Sequence, residues 1–225
     1  MLGIVTQYSR SIKFRIENSW RMLAIVLACA VIVIGSVYLI GTSDQIPVSD
    51  FTRDPAVLAD APFYTGLLSN LGVILWSCAA MACFVGSILL RGDRHKARFL
   101  LVSGLGSLYL ALDDLLMMHE TVFPDYLQID EKYVFMSYFI LAGLFAIYFF
   151  KLILFETDFP ILAAAVALFA ISLIIDRYVP FSDVQTFVED SSKLAGIALW
   201  MTYFARTSVQ WISGCMYEGR PDQVQ

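Results

Sequence analysis

Two short stretches of this sequence carry side chains that can do chemistry. One is Leu112-Asp113-Asp114-Leu115-Leu116-Met117-Met118-His119-Glu120; the other is Val188-Glu189-Asp190-Ser191-Ser192-Lys193. Both sit inside strongly apolar runs, where an ionisable group is costly and marks a functional site by default. Carboxylates with one imidazole suit a divalent metal ion. The candidate ligands are Asp113, His119, Glu120 and one of Glu189 or Asp190. Such an ion would polarise a carbonyl or phosphoryl group or activate a water. Lys193 would steady developing negative charge, so Asp113, Glu189 and Lys193 are the candidate catalytic residues. Asp176, Asp114 and Asn70 fall near the same level and are candidate members of the site.

Helical spacing sets the expected geometry. Asp113 and Glu120 are seven apart and share a face, with Met117 between them, while Asp114 and His119 point elsewhere. Glu189 and Lys193 are four apart in the favourable order for an ion pair, and Asp190 is a second neighbour of Lys193. Six acids (Asp113, Asp114, Glu120, Asp176, Glu189, Asp190) face Arg177 and Lys193 alone. That excess must be relieved by protonation or by a bound cation. Three readings follow. The first is a metal or general acid–base enzyme. The second is a proton or cation path with Asp113 and Glu189 titrating. The third is a structural lock built from Glu189–Lys193 and Asp176–Arg177.

The elements that position these residues are membrane spans. The chain has 225 residues, 59% of them hydrophobic, and a mean hydropathy of +0.71. Soluble domains are nearer 45–50% apolar, so the excess points to lipid. We expect an all-α integral membrane bundle of six spans at 21–40, 64–90, 99–122, 133–155, 159–176 and 184–209. An interfacial amphipathic helix is expected at 1–20, where Ile4, Tyr8, Ile12 and Ile16 alternate with Arg10, Lys13 and Arg15. A cytoplasmic tail is expected at 210–225. Pro47, Pro55, Pro62, Pro124, Pro160 and Pro180 fall in connections or at span edges. Ser182 and Gln185 form a capping box for the last span. Ser103, Gly104, Gly106 and Ser107 permit close helix approach in the third.

Charge gives the orientation. Arg10, Lys13, Arg15, Arg21, Arg91, Arg94, Lys96, Arg98, Lys151, Arg206 and Arg220 fall on one side; Arg53, Lys132, Arg177 and Lys193 fall on the other. The positive-inside bias makes both termini cytoplasmic and faces the acidic residues outward. The expected pocket lies between the third, fifth and sixth spans. The 41–63 connection, with Asp44, Asp50, Asp54 and Asp60, faces the same side. No basic aromatic surface suggests nucleic acid; the expected partners are membrane lipids. Cys29, Cys78, Cys83 and Cys215 have no zinc-site spacing and read as small core hydrophobes.

The 112–120 and 189–193 stretches resemble segments of uncharacterised six-span bacterial inner-membrane proteins. That implies a bacterial cytoplasmic membrane and no particular activity. Glu189-Asp190-x-x-Lys193 is similar to the Glu-Glu-x-x-Lys motif of intramembrane proteases of the PrsW type, although the second acid differs. The three-histidine zinc site of alkaline ceramidases and adiponectin receptors is absent, since the chain has only two histidines. Taken together, the sequence points to a multi-pass membrane protein with an acidic pocket opening to the outer face, and one reading of that pocket is a metal-dependent membrane hydrolase acting on a lipid-like substrate. A proton- or cation-coupled transporter or channel, or a structural subunit of a membrane complex, are the alternatives.

Overall fold

A computed structural model of the chain describes residues 20, 24–40, 42–43, 47–51, 53 and 55–218. The expected interfacial helix at 1–20, Asp44 and Asp54 of the long connection, and residues 219–225 of the expected tail lie outside these, apart from Trp20. The described secondary structure is entirely helical. The chain divides into two units, 1–65 and 66–225.

The first unit contains an apolar helix, α1 (Ala24–Ile40). Its side chains are exposed almost throughout, including Val31, Ile32, Val33 and Ile34.

The second unit holds α2 (Leu67–Leu89), α3 (Arg94–Leu116), a π-helical turn (Met118–Tyr126), α4 (Glu131–Tyr148), α5 (Phe150–Glu156), α6 (Phe159–Tyr178) and α7 (Asp183–Glu218). Four of these, α2, α3, α4 and α6, are long and apolar enough to cross a membrane. Two expected spans differ in form. The third ends as an α-helix at Leu116, because Met117 adopts the left-handed conformation (φ 49°, ψ 45°). The fourth is interrupted at Phe149 into α4 and α5. The last helix runs on to Glu218, through the start of the expected tail. At 36 residues it is about 54 Å long.

Local chemistry accounts for the helix starts. Asp93 caps α3 by accepting from the backbone N–H of His95 (3.0 Å) and Lys96 (3.2 Å). Ser182 accepts from Gln185 N–H at 3.1 Å, the first half of the expected capping box. α2 packs on α3 and on α7, and α7 packs on α6. Small residues set these approaches. A Cβ on Gly86 would fall 2.6 Å from Leu100 and 2.9 Å from Ser208 Oγ, and one on Gly196 would fall 2.8 Å from Phe169. Gly104 meets Phe84 in the same way, as the sequence suggests, whereas Gly106 faces open space.

The core fills one half of this bundle. Cys83, Phe99, Leu100, Phe149, Leu152, Tyr203, Phe204 and Trp211 form one buried cluster. The far end of α7 is clasped to the α5–α6 turn, where Asp158 accepts from Arg206 Nε (2.9 Å) and Gln210 Nε2 (3.0 Å). Those two donors hold the Asp158 carboxyl below its ordinary range. A smaller cluster of Trp76, Ala111 and Ile197 lies next to the polar site.

Candidate functional site

The break at Met117 builds the site. A non-glycine residue in the left-handed region is uncommon and strained, and such positions concentrate at functional sites. Here it ends α3 and turns the chain back. Met117 donates its N–H to Asp113 O, and its carbonyl receives Thr121 N–H at 2.8 Å and Val122 N–H at 3.4 Å, the wider pattern of a π-turn. π-turns are frequent at functional sites. The consequence is that His119 folds over Asp113. The expected alignment of Asp113 with Glu120 required an unbroken helix and does not occur; His119, expected to point elsewhere, takes that place.

Asp113 is 3% exposed and uses both carboxylate oxygens on His119. One accepts the backbone N–H at 3.0 Å, and the other lies 2.8 Å from Nδ1. With Nδ1–H given to Asp113, the neutral imidazole carries its lone pair on Nε2. That nitrogen lies 3.4 Å from Glu120 Oε1, whose side chain is 60% exposed. The His119 ring stands edge-on to Phe135 of α4, with centroids 5.3 Å apart. His119 lies past the last residue of α3, and its bond to Asp113 holds the imidazole above its ordinary value.

A second charged pair lies beside the first. Lys193 Nζ of α7 reaches Asp114 Oδ1 at 2.7 Å, and Trp76 Nε1 of α2 donates to Oδ2 at 3.1 Å. Asp114 therefore joins three helices. The expected Glu189–Lys193 ion pair is not formed. Lys193 crosses to α3, and Glu189 accepts from Gln185 Nε2 at 2.8 Å instead. Trp76 and Trp200 meet edge to face at 5.5 Å, and Trp200 donates to Ser107 Oγ at 3.0 Å.

These groups surround a cavity of about 170 Å³. Ser69 and Gly72 of α2 form one wall, Asp113 and Asp114 of α3 a second, and His119 and Glu120 of the π-turn a third. Asp190, Lys193 and Ile197 of α7 close it. Of the expected site residues, Asp113, Asp114, His119, Glu120, Asp190 and Lys193 come together. Glu189, Asp176 and Asn70 are not in the cavity wall. Asp176 is exposed at the end of α6, with no ion pair to Arg177, and Asn70 is exposed on α2. The pocket therefore lies among the second, third and sixth expected spans; the fifth contributes no wall residue.

The expected metal set also needs correction. Among the described residues, no three His, Cys, Asp or Glu side chains stand where they could hold a metal ion. Asp113 is engaged by His119, Asp114 by Lys193 and Trp76, and Glu120 projects outward. Asp113, His119, Glu120 and Asp190 share a cavity without converging on one point.

Trp76 and Ser69 carry no sequence signal comparable to the acids. A deep indole N–H needs an acceptor, and that requirement was the available clue for Trp76.

Residues 24–207 match the family described as Domain of unknown function (DUF8692). The chain belongs to that family. No curated protein and no solved structure matches it. Membership brings no activity with it, so the chemistry of the site must come from its geometry.

Proposed function

We propose that this protein is a membrane-embedded hydrolase acting on a lipid-like substrate by general acid–base catalysis. The observation that carries this reading is the buried Asp113–His119 pair in the cavity wall, with Nδ1 held 2.8 Å from the carboxylate and Nε2 3.4 Å from Glu120 Oε1. A carboxylate that fixes the tautomer and orientation of an imidazole prepares the other nitrogen to take a proton. His119 would accept the proton of an attacking hydroxyl group and return it to the leaving group. Lys193, anchored by Asp114, supplies fixed positive charge for the developing oxyanion. Glu120 stands where it can relay the proton to solvent.

The Asp113–His119–Glu120 file also suits proton movement, running from a buried group to an exposed one. The opposite half of the bundle weighs against transport. Phe99, Leu100, Tyr203 and Phe204 fill it, and each is essentially inaccessible. A one-sided pocket above a closed core suits an enzyme better than a path.

We place the protein in a bacterial cytoplasmic membrane, with six spans, cytoplasmic termini and the pocket opening outward. The positive-inside bias supports that orientation. The test is a substrate screen in proteoliposomes, with lipid products separated by mass spectrometry. Turnover of an ester- or amide-bearing lipid that His119→Gln loses while its thermal unfolding stays at the wild-type midpoint supports the reading. Equal turnover by the variant refutes it.

A further inference from the structure

We propose that Ser69 is the nucleophile of this site, so that the reaction is acyl transfer through a covalent Ser69 ester. The inference rests on the hydrolytic reading above and adds the identity of the attacking hydroxyl.

Three observations carry it. Ser69 lines the same cavity as Asp113, His119 and Lys193. Its depth also agrees. Ser69, Gly72 and Trp76 fall on one face of α2 by spacing. Trp76 Nε1 bonds Asp114, and a Cβ on Gly72 would lie 4.0 Å from Asp114 Oδ2. Ser69 lies about 4.5 Å further along the axis, away from Trp76. α3 runs antiparallel to α2, since Leu100 meets Gly86 and Asp114 meets Gly72, and the π-turn beyond Met117 carries His119 onto Asp113, into the cavity lining that Ser69 shares. Finally, the Ser69 hydroxyl is exposed and has no intramolecular partner among the described residues. Ser77, Ser103 and Ser192 spend theirs on the preceding turn, on Val73 O at 2.8 Å, Phe99 O at 2.7 Å and Val188 O at 2.7 Å; Ser208 also lacks a partner, but among the described residues Ser69 is the one that brings a hydroxyl to the cavity lining.

A hydroxyl, an imidazole and a buried carboxylate make a nucleophile, a base and its orienting group, recognised by roles rather than sequence order. Ser69 Oγ bonds to the acyl carbon as its proton passes to His119 Nε2, and the carbonyl electron pair moves onto oxygen near Lys193. Collapse of that adduct expels the alcohol or amine, which takes the proton from His119. Water, deprotonated by His119, then cleaves the Ser69 ester and releases the carboxylic acid. The sum is one acyl bond and one water consumed.

The experiment uses a long-chain alkyl fluorophosphonate, which esterifies an activated serine and expels fluoride. The detergent-solubilised full chain is labelled and the adduct located by peptide mass spectrometry, alongside lipid turnover by the same preparations. The expected result is an adduct on Ser69, absent from Ser69→Ala and from His119→Gln and kept in Ser77→Ala. Turnover by Ser69→Ala should fall by roughly 10⁶-fold with an unchanged melting curve. Turnover near the wild-type rate in Ser69→Ala overturns the proposal and leaves water as the nucleophile, with the hydrolytic reading intact. A wild type that neither turns over lipid nor takes the label overturns both.

Discussion

Removing the Lys193 ammonium should expose how the polar site is held together. Asp114 has 9% of its side chain exposed and Lys193 39%, so the pair lies between two limits. Exposed pairs contribute about 0–1 kcal/mol, and breaking a fully buried pair costs about 3–5 kcal/mol. Lys193→Met should therefore cost about 2 kcal/mol, because it leaves the Asp114 carboxylate with only the Trp76 N–H. Asp114→Asn should cost about 1–2 kcal/mol, since an amide oxygen keeps the Trp76 bond but not the charge. The double variant removes both charges together. It should be less destabilised than the sum of the singles by about 1.5 kcal/mol, the size of coupling typical of contacting groups. The assay is equilibrium unfolding in mixed micelles, run as two parallel cycles. One pairs Lys193 with Asp114, and the other pairs Lys193 with Glu189→Gln. Additivity in the Asp114 cycle with coupling in the Glu189 cycle would refute the cross-helix bond and restore the local i,i+4 pair that spacing alone suggests.

Other consequences are open to direct measurement. Because Asp113 favours the charged imidazole, neutral His119 accumulates only above the ordinary value of about 6.5. Turnover should therefore rise with pH through an apparent pKa above that value, and Asp113→Asn should move the rising limb to lower pH; a limb at or below the ordinary value in wild type contradicts the assignment. Treatment with a chelator should leave both turnover and the melting midpoint unchanged, since Asp113 is hydrogen-bonded to His119 and Asp114 to Lys193 and Trp76, and no three potential ligands among the described residues stand where they could hold a metal ion. Gly86→Ala should cost about 1–3 kcal/mol through overpacking against Leu100 and Ser208, whereas Gly143→Ala, with nothing within 4 Å, should be neutral or slightly stabilising in thermal unfolding.

Composition and hydropathy made the helical, membrane-suited character of the chain legible, and the Ser182–Gln185 cap was legible from type and spacing. The acidic stretch at 112–120 was recognisable as the chemical centre because charges are rare in apolar runs. Its internal geometry was not, because helical periodicity holds only while the helix continues. One left-handed residue, Met117, removes Glu120 from the Asp113 face and supplies His119. No pattern in Leu-Leu-Met-Met announces that break, which has neither glycine nor proline at the turning point. The partner of Lys193 was misplaced for a related reason: i,i+4 spacing names a possible neighbour, whereas the nearer carboxylate belongs to a helix seventy-nine positions away. Trp76 was illegible because its role depends on packing against α3, and Ser69 because an exposed serine has no signature until it is found lining the same cavity as a histidine.

The most direct test of the central claim is the rate at which purified protein in proteoliposomes releases acid from acyl lipids, compared between wild type and His119→Gln. General acid–base catalysis contributes about 10²–10⁴-fold. The account predicts a loss of that size in the variant, with the cross-helix bond of Lys193 to Asp114 and the melting curve preserved. Release at the wild-type rate by His119→Gln would contradict it.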